Sequence, residues 1–243
     1  MISRSRDPAP SPQLPMLFRA IAAGDAARVS RLLAAFPRLA SEQARTGASR
    51  AATAPFYLKR IERYIYAGDA ALHLAAAAYQ ARIARDLLAR GVPVRTRNRR
   101  GAEPLHYACD GSPGSTRWNP DAQMATIECL LTAGANPNAV DRSGVAPLHR
   151  AVRTRCAGAV RLLLDYGADA HQMNGRGSTP LHLAVQTTGR GGSGRSEARQ
   201  QQAEIVRLLI AHGARATDRD SHGKTADASA SCAWLGELLH EQD

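Results

Sequence analysis

Aromatic residues make up only 5% of this 243-residue chain, and lysine occurs twice, at Lys59 and Lys224. So little aromatic surface leaves burial to Ala, Leu, Val and Ile, which suits close-packed short helices better than a large sandwich core. The four cysteines, Cys109, Cys129, Cys156 and Cys232, form no C-x-x-C pair and have no histidine at metal-ligand spacing. Neither a metal site nor a disulfide framework is indicated, and a reducing compartment is the expectation. No stretch approaches the roughly 18 uninterrupted apolar residues of a membrane span. The opening "MISRSRDPAPSPQLP" carries charges and four prolines but no apolar run of secretory length. The expected setting is the cytoplasm, without membrane contact.

What the chain has instead is arginine. Lys and Arg number 32 against 21 acids, a formal charge of +11, and all but two of those cations are Arg. A nucleic-acid surface would cluster them on one face with stacking aromatics between, whereas here they are scattered at single helix positions. Arg and Ala enrichment from G+C-rich codon usage accounts for the scatter. A surface of this charge still implies weak, strongly salt-dependent binding of polyanions.

Internal repetition organises the rest. "GDAALHLAAAA" from Gly68, "GAEPLHYACDG" from Gly101, "GVAPLHRAVRT" from Gly144 and "GSTPLHLAVQT" from Gly177 each place Gly four residues before Leu-His. The second halves "IARDLLARGV", "TIECLLTAGA", "AVRLLLDYGA" and "IVRLLIAHGA" align as well, reaching Gly91, Gly134, Gly167 and Gly213. Proline in "EPLH", "APLH" and "TPLH" suits a first helical turn, where its missing N–H costs nothing. The glycine after each second half suits the left-handed residue that ends a helix. One such helix pair cannot bury its own Leu and Ala face, so neighbours must stack and the ends need caps.

This pattern resembles the ankyrin repeat, whose unit is a turn, T-P-L-H-x-A-A, a second helix with I-V-x-x-L-L, then G-A-D. The resemblance covers residues 68–222, and it implies an all-α solenoid of helix-turn-helix units with β-turn fingers. Gly68 to Gly101 and Gly144 to Gly177 span 33 residues each, the family period, while Gly101 to Gly144 and Gly177 to Gly223 span 43 and 46. The second and fourth units therefore carry insertions, at 110–121 and 187–202, in a chain of bacterial type. The expected organisation is a disordered tail at 1–16, an N-terminal capping repeat and connector at 17–66, and four repeats at 67–100, 101–143, 144–176 and 177–222. A closing cap follows at 223–243. In the front cap, Val29, Leu32 and Leu33 form an i, i+3, i+4 stripe, and "PFYLKRIERYIYAGD" is expected to run helical to about Arg63. In the closing cap, Trp234, Leu235 and Leu238 are expected to face inward.

His73, His106, His149 and His182 fall in register. Units stacked about 10 Å apart hold such residues too far from one another to share a metal at about 2 Å. In the resembling family this His ties neighbouring finger turns by hydrogen bonds, so the four are expected to be scaffold, with no metal and no cofactor. "GRGGSGRS" at 189–196 has the spacing of a phosphate-binding loop and also spells G-x-G-x-x-G. Such loops follow a β-strand and need a Lys or a later ribose-binding acid, whereas this one follows an inner helix and offers Arg195. A solvated loop is the expectation, with Arg190, Arg195 and Arg199 as a possible seat for an anion near a helix N-terminus. Asn119-Pro120-Asp121 has the form of a turn into a cap. Trp118 beside it is either pinned against its own repeat or exposed as a binding anchor.

No Ser/His/acid or Cys/His/Asn arrangement is suggested, so no catalytic residue is expected. The resemblance implies protein binding through finger tips and the concave inner-helix face. The residues left free there are Arg97, Arg99, Arg100, Arg142, Ser143, Met173, Arg176, Arg219, Ser221 and His222, with Arg153 and Gln186 on inner helices. The set is rich in Arg, whose planar fork suits carboxylates, so an acidic protein partner is expected. The alternative is an anion- or nucleic-acid-associated module that uses the Gly/Arg-rich insertion and the basic surface.

Overall fold

Each Pro-Leu-His copy opens a short helix: Pro104, Pro147 and Pro180 sit in the first turn of α5 (Pro104–Ala108), α7 (Pro147–Arg153) and α9 (Pro180–Ala184). A computed structural model, which describes residues 11–49, 51–111, 118–186 and 196–241, adds α3 (Ala71–Ala77) to this inner row. The outer row is α4 (Ala81–Ala89), α6 (Pro120–Thr132), α8 (Ala157–Asp165) and α10 (Ser196–Ala211). Ahead of them stand α1 (Leu14–Ala23) and α2 (Ala26–Ala35), and α11 (Ala233–His240) follows. Neighbours pack α1 to α3 to α5 to α7 to α9 in one layer, and α2 to α4 to α6 to α8 to α10 to α11 in the other. The result is the all-α repeat solenoid that the sequence led us to expect.

The core is one continuous Leu, Ile and Ala seam between the layers. Leu72, Leu105, Leu148 and Leu181, the leucines of the four Leu-His pairs, are all buried in it. Outer helices end on Gly91, Gly134, Gly167 and Gly213, each at positive φ, where a side chain would be strained. At the front, Val29 and Leu33 are buried with Leu32 packed beside them; at the back, Leu235, Leu238 and Leu239 close the seam. Trp234 is only partly buried, and its indole N–H has no partner.

The finger turns are built by a device that recurs four times. Asn98, Asp141, Asn174 and Asp220 each accept, through Oδ1, from the backbone N–H two and four residues on. This side-chain turn compensates the backbone groups of a tight bend. Gly144 shows why the bend also needs glycine: φ is 68°, and an added Cβ would meet the backbone nitrogen of Gly175 at 2.6 Å. Successive fingers are stitched by backbone bonds, Arg142 N–H to the Arg100 carbonyl at 2.9 Å and Gly175 N–H to the Ser143 carbonyl at 3.0 Å.

The histidines join helices to fingers. Nδ1 of His73, His106 and His149 accepts from the N–H of Ala70, Glu103 and Ala146, each at 3.1 Å. For His182 the partner is the Thr179 hydroxyl at 2.7 Å. Nε2 then donates forward to the next finger: to the carbonyls of Ala102, Val145 and Lys224 from His73, His106 and His182, and to Gln172 from His149. The scaffold reading of these residues therefore holds in atomic detail.

Three expectations are corrected. α1 begins at Leu14 rather than Leu17, because Pro15 sits in a first turn instead of ending a tail. The connector is not helical up to Arg63: a 3-10 turn at Ala54–Phe56 leads into a hairpin of β1 (Tyr57–Leu58) and β2 (Arg63–Tyr64). The Tyr57 and Tyr64 rings meet across it at a tilt of 47° with centroids 4.9 Å apart, a cross-strand aromatic pair that favours the extended form. The region 187–202 is not loop throughout, since Ser196–Gln202 belong to α10. Gln202 is buried there and donates to the Ala184 carbonyl at 2.7 Å, as Gln123 of α6 does to Ala108 at 2.9 Å. Each thus satisfies a carbonyl that its short inner helix leaves open.

Removing one histidine link should cost about 2–4 kcal/mol, since His149→Ala strands a buried N–H and leaves a cavity; urea unfolding of variant and wild type measures it. Burial, with the positive charge of Arg150, lowers the His106 pKa to about 4. The unfolded value is about 6.5, so the unfolded chain binds more protons between those limits. Stability from this neutral ring is full above pH 6.5 and is lost as pH falls toward about 4. His106→Gln should flatten the stability profile in that window, and an unaltered slope would show that the ring does not stay neutral in the fold.

Candidate functional site

Between the finger turns and the inner helices α7 and α9 lies a groove of about 900 Å³. The hairpin supplies one wall through Glu62, Arg63, Tyr64 and Tyr66, so a segment outside the repeat pattern shapes the site. Six cations line it, Arg63, Arg100, Arg142, Arg150, Arg153 and Arg176, against three acids, Glu62, Asp110 and Asp141.

Arg150 organises the floor. It stands where the other inner helices have Leu74, Tyr107 and Leu183. Its largely buried guanidinium bridges Asp110 (Nη1 to Oδ2, 2.7 Å) and Asp141 (Nη2 to Oδ2, 2.8 Å), while Nε is buried with no partner. Burial works against the charge, but the two carboxylates outweigh it and hold the Arg150 pKa above its ordinary value. Burial likewise opposes the Asp141 carboxylate, yet Arg150 and the N–H groups of Ser143 and Val145 bring its pKa below the usual range.

Asp110 is a hub. Besides Arg150, its carboxylate draws Arg63 (Nη1, 3.7 Å) and Arg153 (Nη2, 3.8 Å), and its carbonyl accepts from Arg63 Nη2 at 2.5 Å and from the Tyr79 hydroxyl at 2.6 Å. A second buried network lies beside it: Asp69 accepts from Asn98 (2.8 Å) and from Tyr107 (2.9 Å). Burial raises the Asp69 pKa, and it pushes the Tyr107 hydroxyl far above the ordinary phenol range. Both networks brace the groove floor.

The structure brings together half of the partner residues expected from sequence. Arg100, Arg142, Ser143, Arg153, Arg176 and Gln186 line the groove. Arg100 stacks on the Tyr66 ring at 4.8 Å, and among the described residues no carboxylate lies within ion-pair distance of Arg100, Arg142 or Arg176. Other expected residues are occupied by the scaffold. Arg97 bridges Glu103 (3.1 Å) and the Val140 carbonyl (3.0 Å), and Arg99 donates to the Ala48 carbonyl beside Tyr66. Arg219 donates to the Gly223 carbonyl at 2.6 Å, and Ser221 contacts His222 at 3.4 Å. These five residues and the exposed Met173 do not line the groove.

Trp118 is packed against its own repeat, with its indole N–H donated to Gln123 at 2.8 Å. Asn119 caps α6 by accepting from the Ala122 N–H at 2.9 Å. Arg190 and Arg195 lie outside the described residues, and Arg199 sits on an exposed turn of α10. The Gly-rich stretch follows helix α9 rather than a strand. Among the described residues no three His, Cys, Asp or Glu side chains form a metal-binding group, and no helix is long and apolar enough to cross a membrane.

Sequence reasoning missed Arg63, Tyr66, Asp110 and Arg150. For Arg150 a signal existed, a charge in "PLHRA" where "LHLA" stands in two other units. Its partners were not signalled, because Asp110 lies 40 residues away.

The family model described as ankyrin repeats in many copies matches residues 130–184, and the model of the single ankyrin repeat matches 100–142 and 176–221. No curated protein matches the chain.

Arg150→Leu removes the cation and leaves two partly buried carboxylates facing each other, so it should destabilise by about 2–4 kcal/mol. Arg153→Ser, whose side chain is 61% exposed, should change stability by less than about 0.5 kcal/mol. Denaturant titration of both variants checks the contrast.

Proposed function

Because the chain belongs to the ankyrin repeat family, whose repeats are protein–protein interaction modules and generally not catalytic, we propose that it is a non-catalytic scaffold or adaptor for an acidic protein partner. The observation that carries this reading is the charge balance of the groove. Both aspartates in it are engaged by Arg150, so Arg100, Arg142 and Arg176 present positive charge along the finger side without internal compensation. A surface of that kind steers an acidic partner and discriminates against basic ones. Four free cysteines fit a cytoplasmic setting.

The experiment is affinity capture from a nuclease-treated native lysate, followed by titration of the recovered protein. Arg100→Ser, Arg142→Ser and Arg176→Ser combined should weaken binding about tenfold or more, the summed size of three partly exposed charge contacts. Arg99 is left intact because it ties the connector to the first finger. Unchanged affinity in the triple variant would overturn the groove as the binding surface. Recovery of nuclease-sensitive material alone would transfer the function to the basic surface as a whole.

A further inference from the structure

The cations at the hairpin end of the groove are arranged unequally around one carboxylate. Arg150 meets Asp110 at 2.7 Å, a full charge-assisted hydrogen bond, whereas Arg63 and Arg153 stand off at 3.7 and 3.8 Å, beyond hydrogen-bond reach. They come from different elements, Arg63 from β2 in the hairpin wall and Arg153 from the last turn of α7. Arg63 is anchored through its other nitrogen to the Asp110 carbonyl, which fixes where its head group sits. Arg153 is mostly exposed, at 61%. Three guanidinium groups thus converge on a carboxylate that fully satisfies one of them.

We propose that Arg63 and Arg153 form a two-armed seat for one acidic side chain of the partner, with Asp110 as the internal carboxylate that holds the arms in place while the seat is empty. This rests on the reading of the groove as the site for an acidic protein. It adds a specific position, and it gives the hairpin, which lies outside the repeat, a role in recognition. The ligand is a carboxylate held between two guanidinium groups, a geometry in which each fork supplies paired donors. The same arrangement makes Asp110 a competitor. Neutralising it releases Arg153 and the Nη1 end of Arg63, whose Nη2 stays on the Asp110 carbonyl, so loss of this acid tightens binding more than loss of another groove acid only if the seat is real.

The test uses the full chain and a fluorescein-labelled heptaglutamate peptide, with heptaglutamine as the uncharged control, followed by anisotropy at moderate salt. Arg63→Gln and Arg153→Ser should each weaken heptaglutamate binding about threefold to tenfold, the size of one partly exposed charge contact. Asp110→Asn, which keeps an acceptor for Arg150, should tighten it by a similar factor. Glu62→Gln removes the same charge from the groove without touching the arms, and it should tighten binding by less than about twofold. Thermal unfolding of each variant accompanies the titrations. If Asp110→Asn fails to fold, the two arginine variants and Glu62→Gln still decide.

Equal tightening by Glu62→Gln and Asp110→Asn would mean a general field and no seat. Unchanged affinity in Arg63→Gln and Arg153→Ser would overturn the seat. If the triple variant of Arg100, Arg142 and Arg176 still lost binding, the acidic-partner reading would stand without it. Heptaglutamate binding no tighter than heptaglutamine would overturn both.

Discussion

An imidazole hydrogen-bonded at both ring nitrogens is the joint on which this array depends. Nδ1 is taken by the start of its own inner helix, which fixes the ring's tautomer and orientation, and leaves Nε2–H aimed at a carbonyl of the next finger. Helix packing alone would let neighbouring units slide, since a seam of Leu and Ala is chemically uniform along its length. The directed bond, with the backbone bonds between successive fingers, sets the register. Because the finger tips form one wall of the groove and the inner helices its floor, the same bond sets the groove's width.

The groove shows how a fold can sort charges that are scattered in sequence. Composition gives an arginine surplus with no evident clustering. Folding places Arg150, the odd residue of its helix position, between Asp110 and Asp141, so the two aspartates that reach the groove are engaged inside the protein. The arginines of the finger tips are left facing outward, and stacking of Arg100 on Tyr66 holds one of them at the wall without neutralising it. The site's sign is therefore a result of the internal ion network as much as of the surface residues.

Most of the scaffold was legible in the chain because its physics is local and repeated. Proline marks helix starts, glycine marks helix ends, and Leu-His marks the buried joint. The Asx turns were equally local, with Asn or Asp three residues before Gly in "NRRG", "DRSG", "NGRG" and "DSHG", yet the glycines drew the reading instead. The hairpin was not legible, since Phe56 to Tyr66 is short enough for apolar spacing to fit either helix or strand, and the Tyr57–Tyr64 pair that decides it is a tertiary contact. Three of the seven expected partner arginines, Arg97, Arg99 and Arg219, are internal ties. Exposure at a finger position could be inferred, but not that the Arg97 side chain reaches across to the Val140 carbonyl of the next finger.

The histidine joint also gives the array a head and a tail. Every link runs forward, from His73 to the finger of the second unit and at last from His182 to the Lys224 carbonyl in the turn ahead of α11. The first unit receives none from the front cap, where Gln43 pairs with Ala70 as an isolated backbone bridge. A duplicated internal unit would arrive with one donor and one acceptor and leave no bond open wherever it was inserted. Lengthening by internal duplication is therefore compatible with every existing joint, while a unit inserted directly after α10 must supply its own carbonyl to His182 in place of that of Lys224.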